Sequence, residues 1–285
     1  MLTLRRRQSR GKFMWLKALA LFRSTHPLPS LSVTSFAVLF GIGLGLPLEK
    51  LWLVGLAVLT QQFSVGLSND WLDAGRDKAV QRIDKPVAQG MVSLAAVRTA
   101  SLVAAVIALA LALALGTAAF LWMLLMLAIG WVYNLGLKAN GFSVVPYLLG
   151  FGILPAFVTL SSQDPALPPV WVMIVAGLFG VAAHFANTLP DLLADMQTGV
   201  RALPHILGQR ASALVIALTA SSASLILVTQ SSKLVPAISI GGLGLTVALS
   251  LLASVLALRP NPPKLVFHLL LLASLVNVVM LMLGF

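Results

Sequence analysis

The chain has 285 residues, of which 59% are hydrophobic and 9% are charged, with a formal net charge of +11 and a mean hydropathy of +0.98. So few polar residues cannot cover a soluble globular protein, and the composition therefore indicates an integral membrane protein. The absence of cysteine excludes disulfides, thiolate metal sites and a catalytic cysteine. The hydrophobic runs lack the alternation of a β-barrel, so the membrane spans are predicted to be helices.

The chain begins with a basic segment, MLTLRRRQSRGKFMWLKALALFR. Its apolar stretch retains Lys17 and Arg23 and lacks a small-residue cleavage site, so residues 1–28 are predicted to form a retained amphipathic arm. The basic residues of the chain are scattered along loops without interleaved aromatic side chains. Nucleic-acid binding is therefore not expected.

Dividing the hydrophobic runs at proline, glycine and charge predicts nine membrane-spanning helices within one domain, residues 29–285. The predicted spans are 29–48, 51–70, 92–115, 118–137, 143–161, 169–190, 211–230, 234–257 and 266–284. The break at Gly116 and Thr117 is interpreted as a hairpin, because residues 92–137 are too long for a single span. The predicted fold class is an all-α integral membrane protein, with cytoplasmic cap segments at about 70–90 and 191–210.

The distribution of charge predicts the orientation of the chain, since lysine and arginine near span ends concentrate on the cytoplasmic side. With a cytoplasmic N-terminus, only Lys50 and Lys233 of the nineteen basic residues lie outside. The same arrangement leaves only Glu49 and Asp164 of the eight acidic residues outside. We expect a multi-pass protein of the cell membrane whose remaining acids gather on the cytoplasmic side, mostly at the ends of spans two and six.

Two acidic clusters share one spacing, i, i+4 and i+8. They are Asn69, Asp73 and Asp77, with Asp70 one position further round, and Asn187, Asp191 and Asp195. Each cluster forms one stripe on an α-helix, although Pro190 is expected to kink the second helix. Like charges at this spacing repel, so a structural role requires a counter-charge for each acid. Two matched stripes instead favour hard divalent cations, because Mg²⁺ takes oxygen ligands and bridges carboxylates to a substrate phosphate.

Basic residues accompany both stripes along the chain, and a ring of bases is suited to the remaining charge of a diphosphate. These residues are Arg76, Lys78, Arg82, Lys138 and Arg201. The bundle interior beyond this ring is apolar. A substrate with a diphosphate head and a hydrocarbon tail fits both environments, and the six Asp and Asn groups suit two Mg²⁺ ions.

Several short motifs follow one another in chain order. They are Arg23 to Pro27, NDWLDAGRD (69–77), RIDKPVAQG (82–90), YNLGLK (133–138), Asp191 to Asp195, and GVRALP (199–204). Together with the helix count they resemble the UbiA superfamily of intramembrane prenyltransferases over the whole chain. The second cluster, with its leading Asn187, is similar to that of members that prenylate naphthoate or glycerol-phosphate acceptors.

The resemblance implies transfer of a prenyl group from an allylic isoprenyl diphosphate to a lipophilic acceptor, such as a quinone-precursor aromatic. Its implied metal ligands are Asn69, Asp70, Asp73, Asp77, Asn187, Asp191 and Asp195. Asp73, Asp77, Asp191 and Asp195 are the implied catalytic residues, because the metal they hold assists ionisation of the diphosphate. Arg23, Arg76, Lys138 and Arg201 are implied diphosphate contacts, and Tyr133 lines the site. No obligate protein partner is expected.

Two other functions remain open from the sequence. A terpene cyclase needs the same metal stripes but no acceptor, whereas an ion-coupled carrier would place its acids at the membrane midplane rather than at one face. Gln61, Gln62 and Trp71 are further candidates to border the cavity, and His184 either faces it or is hydrogen-bonded in the interior. Replacing Asp73 or Asp191 with alanine is expected to abolish turnover with little change in folded yield, because charge repulsion is relieved.

Overall fold

A computed structural model describes residues 15–197 and 199–284, except for the side chains at positions 193, 194 and 197. The helices are α1 (Pro27–Gly43), α2 (Leu48–Ala79), α3 (Leu94–Leu115), α4 (Thr117–Leu135), α5 (Val145–Leu160), α6 (Val170–Thr188), α7 (Leu192–Gln197), α8 (Leu203–Gln230), α9 (Pro236–Ala257) and α10 (Leu265–Leu283). Two 3-10 helices, Leu137–Ala139 and Leu189–Asp191, precede α5 and α7. The fold is all-helical, as predicted.

Residues 15–23 are also helical, before α1. Residues 1–14 of the predicted arm lie outside the described part of the chain. They include Arg5, Arg6, Arg7, Arg10 and Lys12.

Seven helices of the described chain are long and apolar enough to cross a membrane: α2, α3, α4, α6 with the following 3-10 turn, α8, α9 and α10. The helices at predicted spans one and five, α1 and α5, have 17 and 16 residues and are shorter apolar helices. At 1.5 Å per residue each is roughly 25 Å long, somewhat less than the ~30 Å hydrocarbon layer. The protein is a multi-pass membrane protein, while its nine spans and cytoplasmic N-terminus stay predictions.

Two boundaries differ most from the prediction, and both differences extend helices towards the candidate site. α2 continues to Ala79, so the first part of the predicted cap 70–90 is helical. α8 begins at Leu203 rather than 211, with a kink where Gly208 adopts φ 78° and ψ 172°. Hydropathy predicts that a span ends where charged residues begin. α2 continues past that point because its acidic residues Asp70 and Asp73 form ion pairs.

The break predicted between α3 and α4 is confirmed. Gly116 has φ 126° and ψ 163°, a conformation that side chains other than glycine rarely adopt. α3 therefore ends at Leu115 and α4 begins at Thr117, and the two helices contact one another.

The long helices form a closed ring. Contacts run from α1 to α2, from α2 to α4, and onward through α5 and α6 to α10, which returns to α1. α3 packs on α2, while α8 and α9 pack outside α6 and α10. At Gly180 in α6, an added Cβ would collide with the backbone oxygen of Tyr147 in α5, so glycine permits these two helices to approach closely beside the ring's interior.

Candidate functional site

The C-terminal end of α2 carries the first acidic cluster. Asn69, Asp73 and Asp77 all line a polar cavity of about 320 Å³, as expected for residues spaced one helical turn apart. Asp73 and Asp77 are only 7% and 4% exposed. The described structure contains no donor to the Asp77 carboxylate, so this buried acid is available to a ligand.

The second cluster reaches the same cavity from the opposite side. α6 ends at Thr188, and a 3-10 turn containing Pro190 leads into the short helix α7. The break follows from proline, which lacks the N–H that would continue the helix. Asn187, Asp191 and Asp195 nevertheless all line the polar cavity. The predicted kink is confirmed, and the two clusters face one space.

Asp73 is held between two bases. Lys138 Nζ donates to Asp73 Oδ1 at 2.6 Å, and Arg76 Nη2 donates to Asp73 Oδ2 at 2.8 Å. Burial lowers the pKa of the Lys138 ammonium, and the Asp73 carboxylate opposes that shift. Arg76 and Lys138, the two predicted diphosphate contacts, both line the cavity. In this structure they neutralise Asp73, a predicted metal ligand.

A second set of ion pairs spans the rim of the cavity. Arg82 donates to both carboxylate oxygens of Asp84, at 2.8 and 2.9 Å, and its Nη2 lies 3.5 Å from Asp191 Oδ2. Lys264 Nζ, at the start of α10, lies 3.6 Å from Asp84 Oδ2. The hydrogen bonds from Arg82 hold the pKa of the Asp84 carboxyl well below its usual range. The loop after α2 is thus tied by charge to both α10 and the second acidic cluster.

Asp195 is a half-buried acid of the polar cavity. Burial raises the pKa of its carboxyl to about 6, against the opposing effect of Arg76. His205 Nε2 lies 3.7 Å from Asp195 Oδ2.

Asp70 lies apart from the other predicted metal ligands. It is 1% exposed and does not line the cavity, because adjacent helical residues point roughly 100° apart. Its Oδ1 accepts from Lys85 Nζ at 2.6 Å and lies 2.9 Å from His26 Nε2. Both partners line the polar cavity. Asp70 thus anchors two cationic or polar groups of the site instead of facing it.

The predicted diphosphate contacts are only partly brought together. Arg76, Lys138 and Tyr133 line the polar cavity. Arg23 and Arg201 are exposed and lie outside its lining, with the Arg201 backbone N–H donating to the Ala139 carbonyl at 3.1 Å.

Among the residues that line the site, sequence reasoning assigned no role to His26, Asp84, Lys85, Lys264 and His268, for example. The position of Lys85 within the 82–90 motif was a usable signal. His26 likewise lies within the Arg23 to Pro27 motif, whereas Lys264 and His268 carried no comparable pattern, because their placement depends on how α10 packs.

A second cavity of about 240 Å³ adjoins the first and is called the apolar cavity here. Both cavities share Asn69, Tyr133 and Asn187, and the apolar cavity continues past Met126 and Phe151. Its lining also includes Gln61 and Gln62, which the sequence proposed as bordering residues; Gln62 Nε2 donates to Gln61 Oε1 at 2.8 Å.

His184 and Trp71 lie outside the linings of both cavities. His184 is fully buried, with Nε2 3.0 Å from Ser143 Oγ, so the interior hydrogen-bonded alternative is the correct one. Trp71 packs edge-on against Trp131, with ring centroids 6.0 Å apart, and lies beneath the Arg98 guanidinium.

The donor chemistry of the polar cavity fits Mg²⁺, although no preformed cage is present. Within the described residues, no three His, Asp or Glu side chains are close enough together to hold an ion. Mg²⁺ commonly keeps several waters and takes one or two carboxylates plus substrate phosphates, rather than an all-protein cage. Carboxylates on opposite walls, with Asp77 accepting no described hydrogen bond, suit an ion that binds together with a phosphate.

A model of the UbiA prenyltransferase family matches residues 30–281, and the chain belongs to this family. The predicted membership is confirmed, and the predicted enzyme class is that of the family. Digeranylgeranylglyceryl phosphate synthase from Pyrococcus abyssi is 29% identical over 173 residues, covering 60% of this chain and 62% of that protein. The match thus spans less than two thirds of the curated relative.

Two solved structures share the fold. A UbiA homolog from Aeropyrum pernix K1, in its apo form, superposes with a TM-score of 0.73 and 19% identity, covering 87% of this chain and 94% of that one. A homolog from Archaeoglobus fulgidus bound to DMAPP and Mg²⁺ gives a TM-score of 0.69 and 17% identity, covering 92% and 97%. A relative with this fold therefore binds an allylic diphosphate together with Mg²⁺.

Proposed function

We propose that the protein transfers a prenyl group from an allylic isoprenyl diphosphate to a lipophilic acceptor in a Mg²⁺-dependent reaction. One observation carries the proposal: a cavity lined by two acidic clusters and several bases shares its walls with an adjoining apolar cavity. The polar part is suited to a diphosphate and the apolar part to its hydrocarbon chain. The site is proposed to open to the cytoplasmic side of the cell membrane.

The bases of the polar cavity would bind the diphosphate by exchanging partners. Lys138 and Arg76 are paired with Asp73, and Lys85 is paired with Asp70. Phosphate oxygens can replace or share these carboxylates as acceptors of charge-assisted hydrogen bonds. The diphosphate would therefore bind basic side chains that are already held at the cavity wall. Little conformational entropy would be lost, because no long side chain has to be ordered from solvent.

The acids that face the cavity would hold the metal. Asn69, Asp73 and Asp77 form one proposed ligand group, and Asn187, Asp191 and Asp195 form the other. When bound, Mg²⁺ supplies electrostatic stabilisation of the departing diphosphate. Two ions fit the two groups, and Asp70 is proposed to serve as an anchor for Lys85 rather than as a ligand.

The walls shared by the two cavities would position the reacting carbon. A diphosphate in the polar cavity with its chain in the apolar cavity places the allylic C–O bond near Tyr133, which lines both. The C–O bond breaks, its electron pair leaves with the diphosphate, and the acceptor nucleophile forms the new bond and then loses a proton. Apolar walls exclude the water that would otherwise capture the allylic cation.

Similarity to a digeranylgeranylglyceryl phosphate synthase favours an acceptor that carries a glyceryl phosphate over an aromatic one. Lys264 and His268 supply additional polar groups to the rim of the polar cavity, where a second phosphate would be neutralised. The position of the acids at the ends of α2 and α6 counts against an ion-coupled carrier.

The test is turnover by the purified protein in detergent with Mg²⁺ and a series of allylic diphosphates, with and without a lipid extract of host membranes. Diphosphate release that requires the extract and gives a prenyl-plus-acceptor mass supports the transferase. Release without extract, with a cyclic hydrocarbon product, would identify a cyclase. Absence of Mg²⁺-dependent release for every chain length would overturn the proposal.

A pair of variants on one helix controls this test. Asp77→Asn removes a carboxylate that lines the cavity and is expected to lower turnover at least 100-fold, roughly the effect of losing a transition-state electrostatic contact. Glu49→Gln makes the same chemical change at the exposed opposite end of α2. The Glu49 variant is expected to retain wild-type turnover.

A further inference from the structure

The bundle contains a third cavity, of about 60 Å³, which we call the distal cavity. Its lining is formed almost entirely by apolar side chains of α1, α5, α6 and α10, including Phe36, Phe40 and Phe179. Of its polar lining residues, Ser274 donates to the Leu270 carbonyl and Asn277 Nδ2 donates to Thr246 Oγ1 and the Ala273 carbonyl, while Asn277 Oδ1 accepts no described hydrogen bond. A cavity lined mainly by apolar side chains accommodates apolar groups.

The three cavities follow one another along the bundle, as α5 illustrates. Tyr147, near the start of α5, lines the apolar cavity, and Pro155 and Val158 line the distal cavity. The eleven helical steps from Tyr147 to Val158 rise about 16 Å. Since Tyr147 packs against Tyr133, with ring centroids 5.3 Å apart, this distance is measured away from the polar cavity.

Two other helices give the same order. On α6, Asn187 lines the polar cavity and Ala183 the apolar cavity, while Phe179 lines the distal one. On α10, Phe267 lines the polar cavity and Leu271 the apolar cavity, with Val278 in the distal lining. The repeated order means that the distal cavity continues the axis along which a bound chain would extend.

Only two side chains line both the apolar and the distal cavity: Phe151 and Leu154 of α5, within the described residues. Phe151 stacks on Tyr147 with ring centroids 6.1 Å apart and an interplanar angle of 10°. Leu154 is 6% exposed. Together they form a partition whose position is fixed by packing within one helix.

We propose that the distal cavity is a second apolar subsite for the end of the isoprenyl chain, and that Phe151 and Leu154 set the longest chain the site accepts. This inference rests on the proposed function and names its specificity determinants. Removing the partition joins two apolar spaces along the chain axis. Longer chains then gain contact area without disturbing the diphosphate site.

The test compares kcat/KM for dimethylallyl, geranyl, farnesyl and geranylgeranyl diphosphates in the wild type and in Phe151→Ala. In the wild type, kcat/KM is expected to fall beyond one chain length. In the variant, that fall is expected at least one isoprene unit later, with the ratio of the longer to the shorter substrate raised roughly tenfold or more, as for methylene-scale discrimination in apolar pockets. An unchanged ratio would overturn the inference.

A matched control is Phe157→Ala, which removes the same side chain from a buried position of the same helix that lines none of the three cavities. Its chain-length profile is expected to equal that of the wild type. Ala37 is 1% exposed and lines the distal cavity, so Phe151→Ala combined with Ala37→Leu is expected to reverse the gain by filling the newly joined space. A gain of equal size in the Phe157 variant would show general loosening of the bundle and contradict the proposed role of the partition.

Two further measures separate the possible failures. Phe151→Leu and Leu154→Ala provide smaller changes at the partition should Phe151→Ala not fold, and each is expected to shift the profile in the same direction. Turnover of the shortest accepted substrate reports folding of every variant. Failure of the wild type to turn over any allylic diphosphate would reject the proposed function, whereas turnover with identical profiles in all partition variants would reject only this inference.

Discussion

Replacing Asp73 with alanine is expected to destabilise the protein as well as inactivate it. This differs from the expectation of little change in folded yield, because the structure shows Asp73 paired with Lys138 and Arg76 at 2.6 and 2.8 Å. The Lys138 and Asp73 side chains are 10% and 9% exposed. Removing one partner of a buried ion pair lowers the free energy of unfolding by about 3 to 5 kcal/mol. We expect about 3 kcal/mol here, because the pair borders a polar cavity that water can enter.

The assay is a double-mutant cycle built from Asp73→Ala, Lys138→Met and the double variant. Unfolding of each purified protein is measured in mixed micelles by circular dichroism, and diphosphate release is measured on the same preparations. The double variant is expected to be more stable than the sum of the single effects predicts, with a coupling of about 1 to 3 kcal/mol. It is nevertheless expected to remain inactive, since a proposed metal ligand and a diphosphate contact are both missing.

One result would refute the expected coupling between Asp73 and Lys138, and another would refute the role of Asp73 in the reaction. Additive stability effects, within about 0.5 kcal/mol, would show that the ion pair contributes no net coupling. Wild-type turnover by Asp73→Ala would show that Asp73 is not part of the reactive site.

The remaining predictions concern the metal and the residues that hold the bases. Chelation with EDTA is expected to stop turnover and added Mg²⁺ to restore it; full activity in EDTA would contradict a metal-dependent reaction. Asp70→Asn leaves Lys85 without its carboxylate partner, so the KM for the diphosphate is expected to rise at least fivefold with a smaller change in kcat. Raising Mg²⁺ is expected not to rescue that variant, and rescue would make Asp70 a ligand after all. Asp84→Asn weakens the two-point contact that holds Arg82, so the KM for the diphosphate is expected to rise several-fold. If the variant and the wild type had equal KM values at every salt concentration, Asp84 would not position Arg82 for substrate binding.

Several features of the site could be predicted because they depend on local spacing. The i, i+4 and i+8 positions of Asn69, Asp73 and Asp77 determine a common helical face. Pro190 determines a break in the second helix, and Gly116 marks the end of α3. The end of α2 was harder to place, because ion pairs with residues outside the helix compensate its charged final turns.

Other features depended on contacts between distant parts of the chain. Lys138 meets Asp73 across 65 positions, and Arg82 meets Asp191 across 109. The separation of Asp70 from the other acids is partly a local matter of helical angle, but its pairing with His26 and Lys85 follows from how α1 and the 80–93 loop pack on α2. Residue type alone does not distinguish such counter-ions from other basic residues near a membrane boundary.

By itself, the sequence determined a helical membrane protein of the UbiA family with two acidic stripes, because hydropathy, helical period and motif spacing are properties of neighbouring residues. Only the tertiary structure decided which bases oppose which acids and how the polar, apolar and distal cavities are aligned. The physical reason is that charge pairing and cavity shape arise where several helices meet. Their axial order is set by packing across the bundle, which no single segment contains.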